Sequence, residues 1–381
     1  MLHRYLLPRI VATSVMLCLT TWALAMTRAD ADEESLRLLL PGQVFAVAGV
    51  KTNVYFDNIV LTRQPAAYKF EFASDLGNVE ERRWTCTPTA DQVGIHSIAV
   101  TVRDAEGSVV GRGSTRLHVV LSKSDNNEVV KILFVGDSLT HASAYPNEVA
   151  RLLRQPGNPD WKMLGTHKPS SAAKDVVHEG YGGWTWQRFV TQYEPNPDGT
   201  YRKRSSPFVF LSNDGKPALN VERYFAESCN GERPDFVFFL LGINDCFSAD
   251  PEDLEATDER IDGMLQHADT LLAAFRKAAP NAELAVCLTT PPNARESGFE
   301  ANYKGRYHRW GWKRIQHRLV ERLMAHVADR QGGQVFIAPT ELNLDPFDGY
   351  PENNGVHPNG VGYRQIGASM YAWLKWRLAD K

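Results

Sequence analysis

Two hydrophobic rhythms divide the chain. Up to about residue 122 apolar residues alternate with polar or small ones. Ile98, Val100 and Val102 occupy every second position, the period of a strand with one face buried. Asp104-Ala105-Glu106-Gly107 then reads as a hairpin turn, and Thr115, Leu117, Val119 and Leu121 as the returning strand. Val54 to Leu61 and Tyr68 to Phe72 are further strand candidates, and Trp84 and Cys86 share one strand face and are expected in the core. Several short strands with turn signals predict a small β-sandwich over residues 34–122.

Lys123 to Glu128 is polar, and residues 123–129 read as a linker. The rhythm then changes to apolar blocks separated by helical stripes. The blocks are Ile132 to Val135, Val176 to Val177, Phe236 to Leu241, Leu284 to Leu288 and Val335 to Ala338. The stripes are Ile261, Met264, Leu265, Ala268, Leu271, Leu272 and Phe275; then Ile315, Leu319, Val320, Leu323, Met324 and Val327; then Tyr363, Ile366, Met370, Trp373 and Leu374. Such stripes are core faces of helices. Five buried strands with crossover helices predict an α/β domain over 130–381, a doubly wound parallel sheet. Ligands of such sheets bind beyond the carboxyl ends of the strands. The stretch GIHSIAVTVRDAEGSVVG in the first region resembles immunoglobulin-like domains of exported bacterial proteins.

Composition alters this picture little. The 381 residues carry 42 basic and 45 acidic side chains, a net charge of -3. No basic excess points to nucleic acid, and a small neutral ester or sugar suits the balance. The first residues read as an export signal over 1–31. His3, Arg4 and Arg9 make a positive start, Ile10 to Leu24 is apolar, and Ala23-Leu24-Ala25 and Ala29-Asp30-Ala31 are small-x-small cleavage sites. An uncleaved anchor is the other reading, but the apolar run falls short of the ~20 residues a span needs. The expectation is therefore an exported protein, periplasmic or secreted, without stable membrane insertion after cleavage. Cys86, Cys229, Cys246 and Cys287 follow the leader. A Cys229–Cys246 bridge is disfavoured, because the strand Phe236 to Leu241 separates the two, and Cys287 is expected as a buried free thiol. No Cys/His cluster has zinc spacing, and no metal or cofactor is called for.

Chemistry concentrates at predicted strand ends. The first strand runs into Gly136-Asp137-Ser138-Leu139-Thr140. Gly136 permits a sharp turn, and Ser138 then lies at the edge where a site should form, near the start of the next helix. His178-Glu179-Gly180-Tyr181-Gly182-Gly183-Trp184-Thr185 follows the second strand, Gly242-Ile243-Asn244-Asp245 follows the third, and Gly355-Val356-His357-Pro358-Asn359 precedes the last helix. Taken alone, Asp137 and Ser138 also read as a helix cap.

The set GDSLT, GYGGWT, GIND and VHPN, in this order across about 220 residues, resembles the SGNH (GDSL-like) hydrolases. The resemblance covers residues 130–381 and implies a flavodoxin-like three-layer fold and a serine esterase. It implies Ser138 as nucleophile, His357 as general base, the Gly183 N–H (with Gly182 as the other register) and the Asn244 amide as oxyanion donors. The chemistry needs these types. A serine hydroxyl is a weak nucleophile until a neutral imidazole takes its proton, and donors must meet the developing alkoxide. The expected reaction is hydrolysis of an O-acyl, foremost O-acetyl, ester of a small molecule or polysaccharide. A lipid esterase or thioesterase, and a catalytically silent carbohydrate binder, are the alternatives.

One position departs from the pattern. The family has aspartate three residues before its histidine, and here that residue is Asn354. Either another carboxylate orients His357 (Asp348 first, then Asp345 or Glu352), or a dyad works with an uncharged carbonyl, or catalysis has been lost. Around this set, His141 is a candidate pocket residue. Trp184 and Trp186 are either a platform for a sugar ring or wedges of their loop, and Trp310 and Trp312 share that ambiguity. His178 is expected to be a framework residue, and His308, His317 and His326 to be solvated. The long connection from Thr191 to Pro234 is expected to be a lid or a wall of the cleft.

Overall fold

The computed structural model describes residues 36–123, 128–195, 205–328 and 333–380. The leader and most of the linker lie outside the described residues. In chain order, the first region forms β1 (Arg37–Leu38), β2 (Gln43–Val47), β3 (Thr52–Tyr55), β4 (Val60–Leu61), β5 (Lys69–Ala73), β6 (Asn78–Val79), β7 (Arg83–Cys86), β8 (Gly94–Arg103) and β9 (Val109–Val120). One sheet has the order β2-β9-β8-β5 and a second the order β3-β7-β6. The alternation read from the sequence holds: Ile98, Val100 and Val102 point into a shared core with Leu117, Val119, Trp84 and Cys86. Gly107 closes the turn after β8 at φ +84°, its N–H donating to Asp104 O at 3.1 Å.

The candidate strand from Val54 to Leu61 is broken. β3 stops at Tyr55, and Phe56–Ile59 forms one helical turn before β4. Tertiary contacts override the β-branched pattern here, because the turn carries buried Asp57 and Asn58 into the α/β region. There Asp57 meets Arg309 at 3.1 Å and Lys313 at 3.3 Å.

The second region contributes β10 (Val130–Gly136), β11 (Trp161–Leu164), β12 (Glu179–Gly180), the hairpin β13 (Val209–Leu211) and β14 (Pro217–Leu219), β15 (Phe236–Leu240), β16 (Glu283–Cys287) and β17 (Val335–Ala338). The sheet order β11-β10-β15-β16-β17 is parallel throughout. Neighbouring residues of β15 look to opposite faces. Phe236 and Phe238 meet Trp373 of helix Gly360–Ala379, whereas Phe239 meets Phe275 of helix Leu254–Ala278. Helices therefore cover both faces. The predicted stripes are buried in these helices and in Arg309–Ala328, with Met324 half-buried. His317, expected in solvent, is buried in the same packing, and burial followed by the nearby Lys313 and Arg37 charges pushes its pKa down to about 3.

The second strand is the other correction. Val176 and Val177 form no strand; the second strand is Trp161–Leu164, whose Lys162 interrupts its apolar run. Glu179 and Gly180 instead pair beside the end of β10, opposite Val135 and Gly136. The GYGGWT loop thus starts alongside the Ser138 turn rather than at the end of β11. Cys86, Cys229, Cys246 and Cys287 are all buried and free. Among the described residues no helix is long and apolar enough to cross a membrane.

Candidate active site

β10 delivers Gly136 into a turn with no room for a side chain. A Cβ there would stand 1.9 Å from Thr140 Oγ1 and 2.8 Å from the carbonyl of Leu240. Asp137 caps the next turn, its Oδ1 accepting from Leu139 N at 2.9 Å. It is buried, and burial pushes its carboxyl up to about 7. Ser138 follows, half-buried. The helix after it spans only Ser138–His141, so a long-helix dipole adds nothing here and only local N–H groups count.

Ser138 Oγ lies 2.8 Å from His357 Nε2. The other ring nitrogen, Nδ1, faces Asn354 Oδ1 at 3.3 Å. That same oxygen accepts from Val356 N at 3.1 Å and His357 N at 3.0 Å. Two backbone donors therefore hold the amide with its oxygen toward the ring. His357 Nδ1–H donates to Asn354, leaving Nε2 free to accept from Ser138. Burial lowers the His357 pKa below its ordinary value, which keeps the ring neutral. The carboxylates expected as orienters lie elsewhere. Asp348 is exposed and pairs with Arg82 at 2.9 Å. Asp345 pairs with Arg82 at 3.1 Å and accepts from Phe347 N and Asp348 N. Asp348 is thereby corrected from imidazole orienter to surface ion pair.

Asn244, after β15, bridges the two other loops. Its Nδ2 donates to Trp184 O at 3.0 Å and to Asp137 Oδ2 at 3.3 Å. Gly183 has φ +75° and open space where a side chain would start, while its carbonyl accepts from Arg188 Nη1 at 3.1 Å. Gly182 is equally open but lacks the left-handed conformation, so only position 183 demands glycine for its backbone.

A cavity of about 470 Å³ adjoins this loop, lined by His141, His167, Tyr181, Trp184, Arg188 and Glu194 among others. His141 Nδ1 and His167 Nε2 lie 2.9 Å apart. Trp184 packs against Tyr181 and Phe189 while one edge lines the cavity. Trp186 is buried against Phe239; it wedges the loop and is no sugar platform. Glu194, with Gln192, brings the start of the long Thr191–Pro234 connection to the cavity wall; residues 196–204 lie outside the described residues. Trp310 lies against Arg63, and Trp312 is buried against Phe247, both away from the cavity described here. His178 is a framework residue: Ser143 Oγ lies 2.9 Å from its Nε2, and Gly180 N donates to its Nδ1. Among the described residues no group of three or more His, Cys, Asp or Glu side chains is placed to hold a metal.

Two supporting residues escaped the sequence reading. Asn293 is fully buried and holds the histidine loop, its Nδ2 donating to Pro351 O and Asn354 O and its N to Gly355 O. Its only sequence signal is its place in Thr289-Thr290-Pro291-Pro292-Asn293, just past a strand end. Glu179 is also buried and accepts from Thr166 N, Tyr181 OH and Tyr224 OH.

The profile of the GDSL-like lipase/acylhydrolase family matches residues 134–365, and the chain belongs to that family. It is an ester-hydrolysing enzyme. The search of curated proteins finds no match. Solved structures similar to it include a family 3 carbohydrate esterase of Clostridium thermocellum (21% identity, covering 66% of this chain and 98% of that one, TM-score 0.41). A family 3 carbohydrate esterase from Talaromyces cellulolyticus is similar too (18%, 66% and 100%, TM-score 0.41). So is an aryl esterase of M. smegmatis (15%, 65% and 99%, TM-score 0.37).

Proposed function

We propose that this enzyme hydrolyses O-acyl, foremost O-acetyl, esters of a saccharide through an acyl-serine intermediate. The observation that carries the mechanism is the 2.8 Å approach of Ser138 Oγ to His357 Nε2, within the reach a nucleophile and its base need. Ser138 Oγ attacks the acyl carbon as its proton passes to Nε2. The imidazolium then protonates the departing alkoxide; a water, deprotonated by the same ring, attacks the acyl-serine, and the acid leaves as the ring returns that proton to Ser138 Oγ. The N–H groups of Ser138 and Gly183 and the Asn244 amide are the oxyanion donors. One amide hydrogen of Asn244 stays on Trp184 O, and the long 3.3 Å bond to Asp137 is the one exchanged for the oxyanion. Asn354 holds the ring in the right tautomer without supplying charge, which distinguishes this site from one where a neutral amide forces the wrong tautomer.

The saccharide assignment rests on the cavity. Tyr181 and Trp184, though largely buried, contribute to the wall, while His141, His167, Arg188 and Glu194 offer donors and acceptors on it, a mixture that suits a hydroxylated ring better than a long acyl chain. The chain works outside the cytoplasm, delivered by the leader over 1–31 and built as a β unit (34–122), a linker (123–129) and an α/β domain (130–381). The test is nitrophenol release from nitrophenyl acetate and acetate release from acetylated glycans by wild type and Ser138→Ala. Wild-type activity should exceed the variant's by roughly 10⁴-fold or more, with a fluorophosphonate modifying Ser138. Equal rates in the two proteins would refute the mechanism, and acetate release from no glycan would refute the substrate class.

A further inference from the structure

The β unit meets the α/β unit through directed polar contacts concentrated on one short segment. Asn58 Nδ2 donates to Glu341 O at 2.8 Å and Leu344 O at 2.7 Å. Asn53 donates through both its N and Nδ2 to Asn343 Oδ1, at 2.9 and 2.7 Å, and Tyr55 N donates to Leu342 O at 3.1 Å. The Leu342 side chain is part of the β unit's own core, beside residues such as Val54 and Trp84. Arg82 spans the next turn, with Nη1 on Asp345 and Nη2 on Asp348. The helical turn that presents Asn58 is itself locked. Burial alone would raise the Asp57 carboxyl, but Lys313 and Arg309 outweigh it and hold the group below its usual range.

Simple tethering requires none of this. A buried polar group left without its partner is destabilising, so these bonds define one register of the segment 341–348. From there the chain runs to Asn354 and His357. Beyond His357 it is tied back to the last residue of that segment and the one after it, with Asn359 Nδ2 donating to Asp348 O and Asn359 N to Gly349 O, both at 2.9 Å. Both ends of the histidine loop thus depend on a segment whose outer side is held by the β unit.

We propose that the N-terminal β unit is a positioning element for the histidine loop, with Asn53, Asn58 and Arg82 fixing residues 341–348 so that His357 meets Ser138. This rests on the reading of Ser138 and His357 given above. None of the three touches the ester; they act through the loop.

The test uses the full chain as wild type, Arg82→Ala, Arg82→Lys and Arg103→Ala. Arg103 pairs with Glu71 inside the β unit and serves as control. Two quantities are measured, steady-state hydrolysis of nitrophenyl acetate and the rate of Ser138 modification by a fluorophosphonate, with circular dichroism reporting the fold. Displacing a catalytic group by about 1 Å can cost roughly 10²-fold in rate. Arg82→Ala should therefore lower kcat by about 10- to 100-fold with KM within about twofold, and slow Ser138 modification in parallel. Arg82→Lys should recover part of the loss, and Arg103→Ala should match wild type. If Arg82→Ala fails to fold, Arg82→Gln, which keeps the aliphatic stem and a polar end but removes the charged guanidinium that lies over the Phe347 ring, carries the same expectation. A folded Arg82 variant with wild-type kcat and wild-type modification of Ser138, or a loss confined to KM, overturns the proposal and leaves the site reading intact. Hydrolysis that persists in Ser138→Ala, without modification of Ser138 in wild type, overturns the site reading itself.

Discussion

The serine and the histidine reach each other by opposite routes. Ser138 is set by local sterics: a central strand ends, Gly136 turns where no larger residue fits, and Asp137 caps the next turn. His357 sits on no strand. Its loop is held by Asn293 on one side and, on the other, continues from the segment 341–348, which the β unit contacts. The nucleophile is thus placed by its neighbours in sequence and the base by residues far away in the chain. A locally built position tolerates change elsewhere but no change in its own glycine; a suspended one is adjustable from a distance.

The sharpest way to break this contrast is Gly136→Ala. The added methyl would overlap Thr140 and the Leu240 carbonyl, so stability should fall by about 3 kcal/mol, at the upper end of overpacking effects, read as a shift in the urea midpoint. Next comes Asn244→Ala. Loss of one oxyanion donor should lower kcat by about 10²- to 10³-fold with KM nearly unchanged, measured on nitrophenyl acetate. Asn293→Ala tests the suspended side. It should lower kcat by about 10-fold or more through misplacement of His357, with Ser138 modification slowed alike; an unchanged rate would show that the loop holds itself.

The smallest effect concerns charge. Catalysis needs neutral His357, and burial lowers its pKa. The acid limb of kcat/KM should therefore lie below pH ~6.5, the ordinary histidine value. Asn354→Asp places an anion against Nδ1, which favours the protonated ring. The limb should move to higher pH, while turnover on the plateau should rise through stabilisation of the imidazolium. A limb that stays in place would mean that residue 354 does not face the ring in solution.

Much of this was legible because local and global signals agree in the strand-end motifs. Ser138, Asn244 and Gly183 each follow an apolar block or a glycine turn, and the helical stripes were buried as their spacing required. The failures have physical causes. Trp161–Leu164 is short and carries Lys162 in its midst, so the dyad Val176-Val177 outweighed it. Val54 to Leu61 has strand composition, yet the buried ion pairs of Asp57 impose a helical turn. Asp348 reads as an orienter because it is a carboxylate close upstream of His357, and nothing in the sequence reveals that Arg82, more than 260 positions away, claims it. Asn293 and Asn58 act through main-chain carbonyls, which carry no side-chain signature.

The state of the four described thiols has a consequence for where the protein can operate. All are buried and none is bridged, and burial raises each above the ordinary thiol range, Cys229 to about 11. Thiolate is the reactive form, and at neutral pH there is almost none of it. At these four positions oxidants and reductants therefore find almost no thiolate to exchange with, and the described residues keep the same covalent framework on either side of a membrane that separates reducing from oxidising surroundings.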